Sequence, residues 1–244
     1  MIGRLDLLAL DAPDIERLAE FYTDLTGWKR HVEEPDWITL INGAGQKLSF
    51  QLAPDHVPPR WPSAEHPQQV HLDLLTSDVE AVAEQAVRLG ATRLGGGETW
   101  QTLADPAGHP FDLCHRDDGG HELGIYAVTF DAPDAAGLAR FYADVLGMEL
   151  RYEGEQGALI GDDTWQVMFQ QVAEYNPPQW PDPAHPQQGH LDIDVEDLDA
   201  AETKVLRRGA SRLPGEGERF RVFADPAGHP FCLCLPDEAD PISG

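Results

Sequence analysis

Two His-x-Asp triplets, His71-Leu72-Asp73 and His190-Leu191-Asp192, are the residues of this sequence best suited to chemistry. On an extended strand successive side chains alternate, so the histidine and aspartate of each triplet share one face. Such a pair can shuttle a proton, anchor a polar group of a ligand, or give two donors to a metal ion. It can also be structural, with the carboxylate fixing the imidazole tautomer. His71, Asp73, His190 and Asp192 are therefore the candidate catalytic residues, with Asp73 as a proton carrier. Farther along, Phe111 and Leu113, then Phe231, Leu233 and Leu235, form an apolar set for the core. Alternation then turns Asp112, Cys114, Cys232 and Cys234 to the opposite face, toward the His-x-Asp pairs. Three cysteines are an odd number, and Cys-x-Cys is neither the redox spacing nor a zinc knuckle. They read as reduced thiols.

The elements that must carry these residues are written twice. Asp11-Ala12-Pro13-Asp14 and Phe21-Tyr22 recur 120 residues later as Asp131-Ala132-Pro133-Asp134 and Phe141-Tyr142. Trp61-Pro62, His66-Pro67-Gln68-Gln69 and His71-Leu72-Asp73 recur at a displacement of 119. Asp105-Pro106-Ala107-Gly108-His109-Pro110-Phe111 recurs as 225–231. Two homologous domains follow, 1–119 and 120–244, with a seam at Asp117-Asp118-Gly119-Gly120.

Within the first repeat, Leu5 to Leu10 reads as a strand. A helical stripe of Ile15, Leu18, Tyr22 and Leu25 follows and stops at Gly27. Trp37–Ile41 and Lys47–Leu52 flank an Asn42-Gly43 hairpin signal. Val70–Leu75 is a strand, and Ser77 with Glu80 has capping-box spacing ahead of a second helix that ends at Gly90. Trp100–Ala104 and His109–His115 close the set. Each repeat is thus two βαβββ units.

A strand, a helix ending in Phe-Tyr-x-x-x-x-Gly, a His-x-Asp strand and Asp-Pro-x-Gly before the last strand resemble the vicinal oxygen chelate superfamily. That group includes glyoxalase I, bleomycin-resistance proteins and extradiol dioxygenases. The resemblance spans nearly all of both repeats. It implies an α+β fold: two tandem glyoxalase-like domains, each of two βαβββ units forming an eight-stranded, incompletely closed barrel around a ligand cavity. Units could pair within repeats or across them.

Metal-using members carry donors on the first, fifth and last strands, some adding a fourth on the strand before the fifth. Carried over, the fifth-strand histidine is present twice, as His71 and His190. The first-strand position falls on Leu7 and Ala127, which bind nothing, and the last on Asp112 and Cys232. Gln51 and Gln170 are equivalent fourth-strand residues read as inward. The expected metal set is His71, Gln51 and Asp112, a divalent ion in the first domain being the alternative to no cofactor at all. In the second repeat Cys232 and Ala127 replace expected ligands, and no tightly held divalent ion is expected.

Composition narrows the partners. Forty-three acidic against 17 basic residues leave a net charge of −26, which repels nucleic acid and anionic membranes. No apolar run approaches the roughly 20 residues of a spanning helix, and no leader is visible, so a cytoplasmic monomer or homodimer is expected. The leading reading is a small-molecule-binding protein taking an apolar, aromatic or cationic ligand. Gln51, Trp61, Trp100, Cys114, Gln170, Trp180, Phe220 and Cys232 are its candidate contacts. The alternatives are a metal-dependent lyase, isomerase or dioxygenase, and metal-free acid–base catalysis by the His-x-Asp pairs.

Overall fold

The computed structural model describes residues 1–61, 66–117, 123–182 and 185–236. Pro62 of the first Trp-Pro pair and Asp118, Gly119 and Gly120 of the seam lie outside them. The first repeat runs β1 (Arg4–Ala12), α1 (Ile15–Thr26), β2 (Lys29–Glu34), β3 (Trp37–Ile41), β4 (Lys47–Leu52), β5 (Val70–Thr76), α2 (Val79–Leu89), β6 (Thr92–Gly96), β7 (Trp100–Ala104) and β8 (Pro110–His115). The second repeats this order as β9 (Gly124–Ala132), α3 (Ala135–Leu146), β10 (Glu149–Gly154), β11 (Gly157–Gly161), β12 (Gln166–Gln171), β13 (Gly189–Asp194), α4 (Leu198–Leu206), β14 (Ser211–Glu216), β15 (Phe220–Ala224) and β16 (Pro230–Cys234). No helix among the described residues is long and apolar enough to cross a membrane.

Local chemistry sets the helix ends. Asp14 caps α1 by accepting from the Arg17 amide, and Gly27 closes it in the left-handed region at φ 75°. Asp134 and Gly147 do the same for α3. For α2 the cap is Asp78, which accepts from the Ala81 amide, and not the expected Ser77. The hairpin joining β3 to β4 is held by Asn42, whose Oδ1 accepts from the amides of Ala44 and Gln46.

The strands form two open eight-stranded sheets, and each takes one βαβββ unit from each repeat. One sheet runs β14-β15-β16-β13-β1-β4-β3-β2; the other runs β10-β11-β12-β9-β5-β8-β7-β6. The first is the His190 sheet and the second the His71 sheet. The joining pairs are antiparallel and sit at the centres, β1 on β13 with Ala9 opposite His190, and β5 on β9 with His71 opposite Thr129. Pairing is therefore across the repeats.

Each repeat also holds its own two units together through its helices. Tyr22 of α1 stacks on Phe50 of the His190 sheet and meets Phe111 of the His71 sheet edge-on. Tyr142 likewise stacks on Phe169 and meets Phe231. All of these rings are buried, and they fill the core between the sheets. The repeats are clasped once more where Gln69 and Gln188 each give a backbone amide to the other's Oε1 at 2.9 Å. Their own Nε2 groups donate to the carbonyls of Pro186 and Pro67.

The Asp-Pro-Ala-Gly-His turns aim β8 and β16. Asp105 accepts from the amides of Ala107 and His109 and from the Tyr22 hydroxyl, and its burial pushes its pKa up to about 7. The folded chain keeps Asp105 protonated up to about pH 7, whereas an unfolded aspartate ionises from its ordinary 3.8. A carboxyl raised in this way lends stability at low pH that is lost as pH climbs between those values. Asp105→Asn cannot ionise, so its melting temperature should gain on the wild type from about pH 4.5 to about pH 7.5. A gap between the two melts that shrinks over that interval would contradict this.

Candidate functional site

Because the apolar side chains of β5, β8, β13 and β16 enter the helix-filled core, the alternate residues line the open face of each sheet. On the His71 sheet, His71 Nε2 lies 3.7 Å from Asp73 Oδ1. Thr129 of the other repeat donates to Asp73 Oδ2 at 2.5 Å, and Asp112 is level with Asp73 on the adjoining strand. One donor atom each from His71, Asp73 and Asp112 lies within 4.8 Å of the others. His71 Nδ1 and Asp112 Oδ1 are buried without a hydrogen-bond partner. Burial raises the pKa of Asp73, which His71 and Thr129 only partly offset. The Cys114 thiol is pushed up to about 12 by burial and by Asp73 and Asp112, so it stays protonated.

The His190 sheet places different chemistry at the equivalent positions. His190 Nε2 is 3.4 Å from Asp192 Oδ1, a close charge pair that lacks hydrogen-bond alignment, since that oxygen has no hydrogen-bond partner. Cys232 is level with Asp192, and Cys234 with Asp194. His190, Asp192 and Cys232 also bring one donor atom each within 4.8 Å. The neighbouring Cys234 and His190, against the cost of burial, lower Cys232 to about 7. Burial disfavours the His190 imidazolium, but Cys232 and Asp192 outweigh it and raise its pKa. One sheet thus carries a thiol that burial and carboxyls push toward its protonated form, the other a thiol and an imidazole that each favour the other's charged form.

Cross-repeat pairing corrects the expected metal set. Gln51 lies on β4 of the His190 sheet, level with Asp11 of β1, and cannot join His71 and Asp112. Gln170 lies on β12 of the His71 sheet, level with Asp131, and so belongs with His71 and not with His190. Leu7 and Ala127, without donor atoms, stand opposite Asp192 and Asp73. Two carboxylates that were read only as repeat landmarks belong to the sites. Asp131, held by Gln68, feels the charge of His71. Asp11 accepts from Gln187, whose amide also lies 3.4 Å from His190 Nδ1.

The candidate aromatic contacts also divide between the sheets. Trp100 is level with Cys114 and Phe220 with Cys234, exposed by 45% and 41%. Trp61 lies against Gly95 of β6 and Trp180 against Gly215 of β14, at the far edge of each sheet.

A cavity of about 320 Å³ opens on the His190 sheet. Asp192, Asp194 and Cys234 line its floor and Trp37 and Phe220 its walls. Asp6, Glu34, His31, Thr39, Lys47 and Arg219 complete its polar lining. Asp6 and Lys47 pair at 2.9 Å, and burial with Asp6 nearby pushes Asp194 up to about 7. A larger hollow of about 500 Å³ on the His71 sheet lies over β10 to β12, lined by Tyr152, Met168 and Gln170, and does not include His71. The cavity on the His190 sheet reaches Asp192 of the His-x-Asp pair, with His190 behind it and outside the lining.

Paired βαβββ units with a His-x-Asp strand at each centre define a class, and the sequence comparison agrees. The family model described as "Glyoxalase-like domain" matches twice, at residues 7–114 and 127–234. The chain belongs to this glyoxalase-like domain family. Glyoxalase I from Zea mays superposes with a TM-score of 0.60 at 19% identity, covering 96% of this chain and 92% of that one. A glutamate-to-glutamine mutant of the Zea mays enzyme gives 0.65 at 20% identity, covering 96% and 94%. The cppA protein from Streptococcus pneumoniae TIGR4 gives 0.55 at 16% identity, covering 97% and 100%. These likenesses are likenesses of fold. No curated protein matches the chain.

Proposed function

We propose that this chain is a small-molecule-binding protein of the glyoxalase and bleomycin-resistance type, and that its ligand sits in the cavity of the His190 sheet. The observation that carries this is the meeting of that cavity with Asp192, whose buried Oδ1 has His190 Nε2 at 3.4 Å but no aligned hydrogen bond. A buried carboxylate oxygen left unsatisfied is costly, and a ligand donor placed there relieves it. Trp37 and Phe220 offer ring faces to an aromatic body. Four carboxylates line the cavity against two permanent cations, Lys47 and Arg219, which favours a ligand that is cationic or rich in donors. His190, backed by Gln187 and Asp11, stands behind Asp192 and would hold its carboxylate in place. A thermal-shift screen of aromatic amines, neutral aromatics and aromatic acids tests this. Amines should raise the melting temperature most, and Phe220→Ala should remove the shift. Stabilisation by the acids alone would contradict the proposal.

A second reading, metal-dependent catalysis of the glyoxalase or dioxygenase type, is favoured by the other sheet. His71, Asp73 and Asp112 fit a divalent ion, being one nitrogen and two oxygen donors with two buried polar atoms unsatisfied. Such an ion, when bound, would polarise vicinal oxygens of a substrate as a Lewis acid. Thr129 would hold Asp73 in place.

A further inference from the structure

Among the landmarks written twice, His-Pro-Gln-Gln is copied without change, at 66–69 and again at 185–188. Hydrogen bonds account for three of its four positions. Gln69 and Gln188 clasp the repeats, Pro67 and Pro186 supply the carbonyls that complete the clasp, and Gln68 and Gln187 hold Asp131 and Asp11. The leading histidines are not explained in this way. The His66 imidazole has no partner among the described residues, and His185 has only Asp182, 4.0 Å from its Nδ1. Both histidines instead line one small cavity of about 140 Å³ between the loops of the two repeats. Its lining comes in repeat-equivalent pairs, Val57 with Asn176, His66 with His185 and Gln69 with Gln188, so the two imidazoles meet where the repeats face each other.

We propose that His66 and His185 together hold one divalent ion of the Ni²⁺, Cu²⁺ or Zn²⁺ class, bridging the two repeats. Imidazole is the side chain that most often binds such ions, whereas Mg²⁺ and Ca²⁺ demand oxygen. No acidic side chain lines the cavity, so its donors favour the borderline ions over the hard ones. The volume has room for an ion and its waters but is smaller than ordinary organic-ligand sites. Asp182, in ion-pair range of His185 Nδ1, leaves Nε2 of that ring for the ion, the arrangement in which a carboxylate steadies a ligating histidine. The surrounding charge of −26 draws cations to the opening. This site lies in the loops, apart from the open faces of both sheets, and does not depend on the ligand proposed for the His190 cavity.

The test is equilibrium dialysis of the whole reduced chain against Ni²⁺, with the melting temperature followed alongside, in the wild type, His66→Ala, His185→Ala and the double variant. Because both rings hold one ion, either single substitution should weaken one bound equivalent by about tenfold or more. The double variant should lose no further ion. Ni²⁺ should also raise the melting temperature of the wild type more than that of either variant, since it ties the two loops together. His71→Ala, which alters the donor group on the open face of one sheet, should leave this equivalent in place. Unchanged Ni²⁺ binding in His66→Ala or in His185→Ala would overturn the proposal. So would losses in the single variants that add up to two ions in the double variant, because each histidine would then be a separate surface site. Neither imidazole holds the fold through a hydrogen bond to a described residue. Should alanine unsettle a loop, His66→Phe and His185→Phe keep a ring without a donor atom and must give the same losses.

Discussion

Residues 1–117 expressed alone should not form a stable monomer. In the intact chain β1 is covered by β13 and β5 by β9, so both central partners of the first repeat come from the second. Cutting between the repeats exposes the full edges of β1 and β5, two of the most buried strands of the molecule. Exposed apolar edges of that length recruit another strand. Two copies can supply what is missing, because β5 has the His-x-Asp sequence of β13 and β1 corresponds to β9. The expected product is a symmetric dimer with two eight-stranded sheets, a domain-swapped equivalent of the native chain. Analytical ultracentrifugation with circular dichroism on dilution should show folding and dimerisation lost together. A folded monomer that melts cooperatively and independently of concentration would show that a repeat is self-sufficient.

Asp225→Ala should be the most damaging single substitution away from the cavities, at about 3–5 kcal/mol of stability, the range for removing one partner of a buried polar network. Asp225 Oδ1 accepts from the amides of Ala227 and His229, while Oδ2 accepts from the Tyr142 hydroxyl and lies 3.1 Å from His229 Nδ1. Truncation leaves all of these buried groups unsatisfied at once and loosens the turn that aims β16. Asp225→Asn keeps the shape and one acceptor, and should lose less than half as much. Urea denaturation of the two variants measures the difference, and equal losses would mean that the network contributes little beyond its charge.

How much of this was legible in the sequence follows from which side chains enter the core. β1, β5, β8 and β16 alternate or run apolar because one face packs on the helices, and their positions could be read directly. β2, Lys29-Arg30-His31-Val32-Glu33-Glu34, and the wholly exposed β10 lie at sheet edges, where charge guards against association and erases the pattern. β6 and β14 are the other edge strands and were hidden for the same reason. The inward residues His71, Asp73, Asp112, His190, Asp192 and Cys232 followed from alternation, and the structure groups them in two threes. The company of Gln51 and Gln170 did not follow. β5 and β13 carry nearly the same residues, so either could pair with β1 on hydrophobic grounds, and only the assembled core decides between them. Asp11 and Asp131 were legible as repeated acids at a strand end, a place where burial of a charge signals use.

A ligand cavity that belongs to the His190 sheet and is built from both repeats is tested most directly by calorimetric titration. The tightest ligand from the amine screen is titrated into the wild type, Asp192→Ala and His71→Ala. Loss of one charge-assisted hydrogen bond is worth about 1–3 kcal/mol. Asp192→Ala, which removes a cavity-lining carboxylate, should therefore weaken binding by roughly 5- to 150-fold, while His71→Ala, on the other sheet, should leave affinity unchanged. Weakened binding in His71→Ala with full affinity in Asp192→Ala would place the ligand on the opposite sheet and contradict the account.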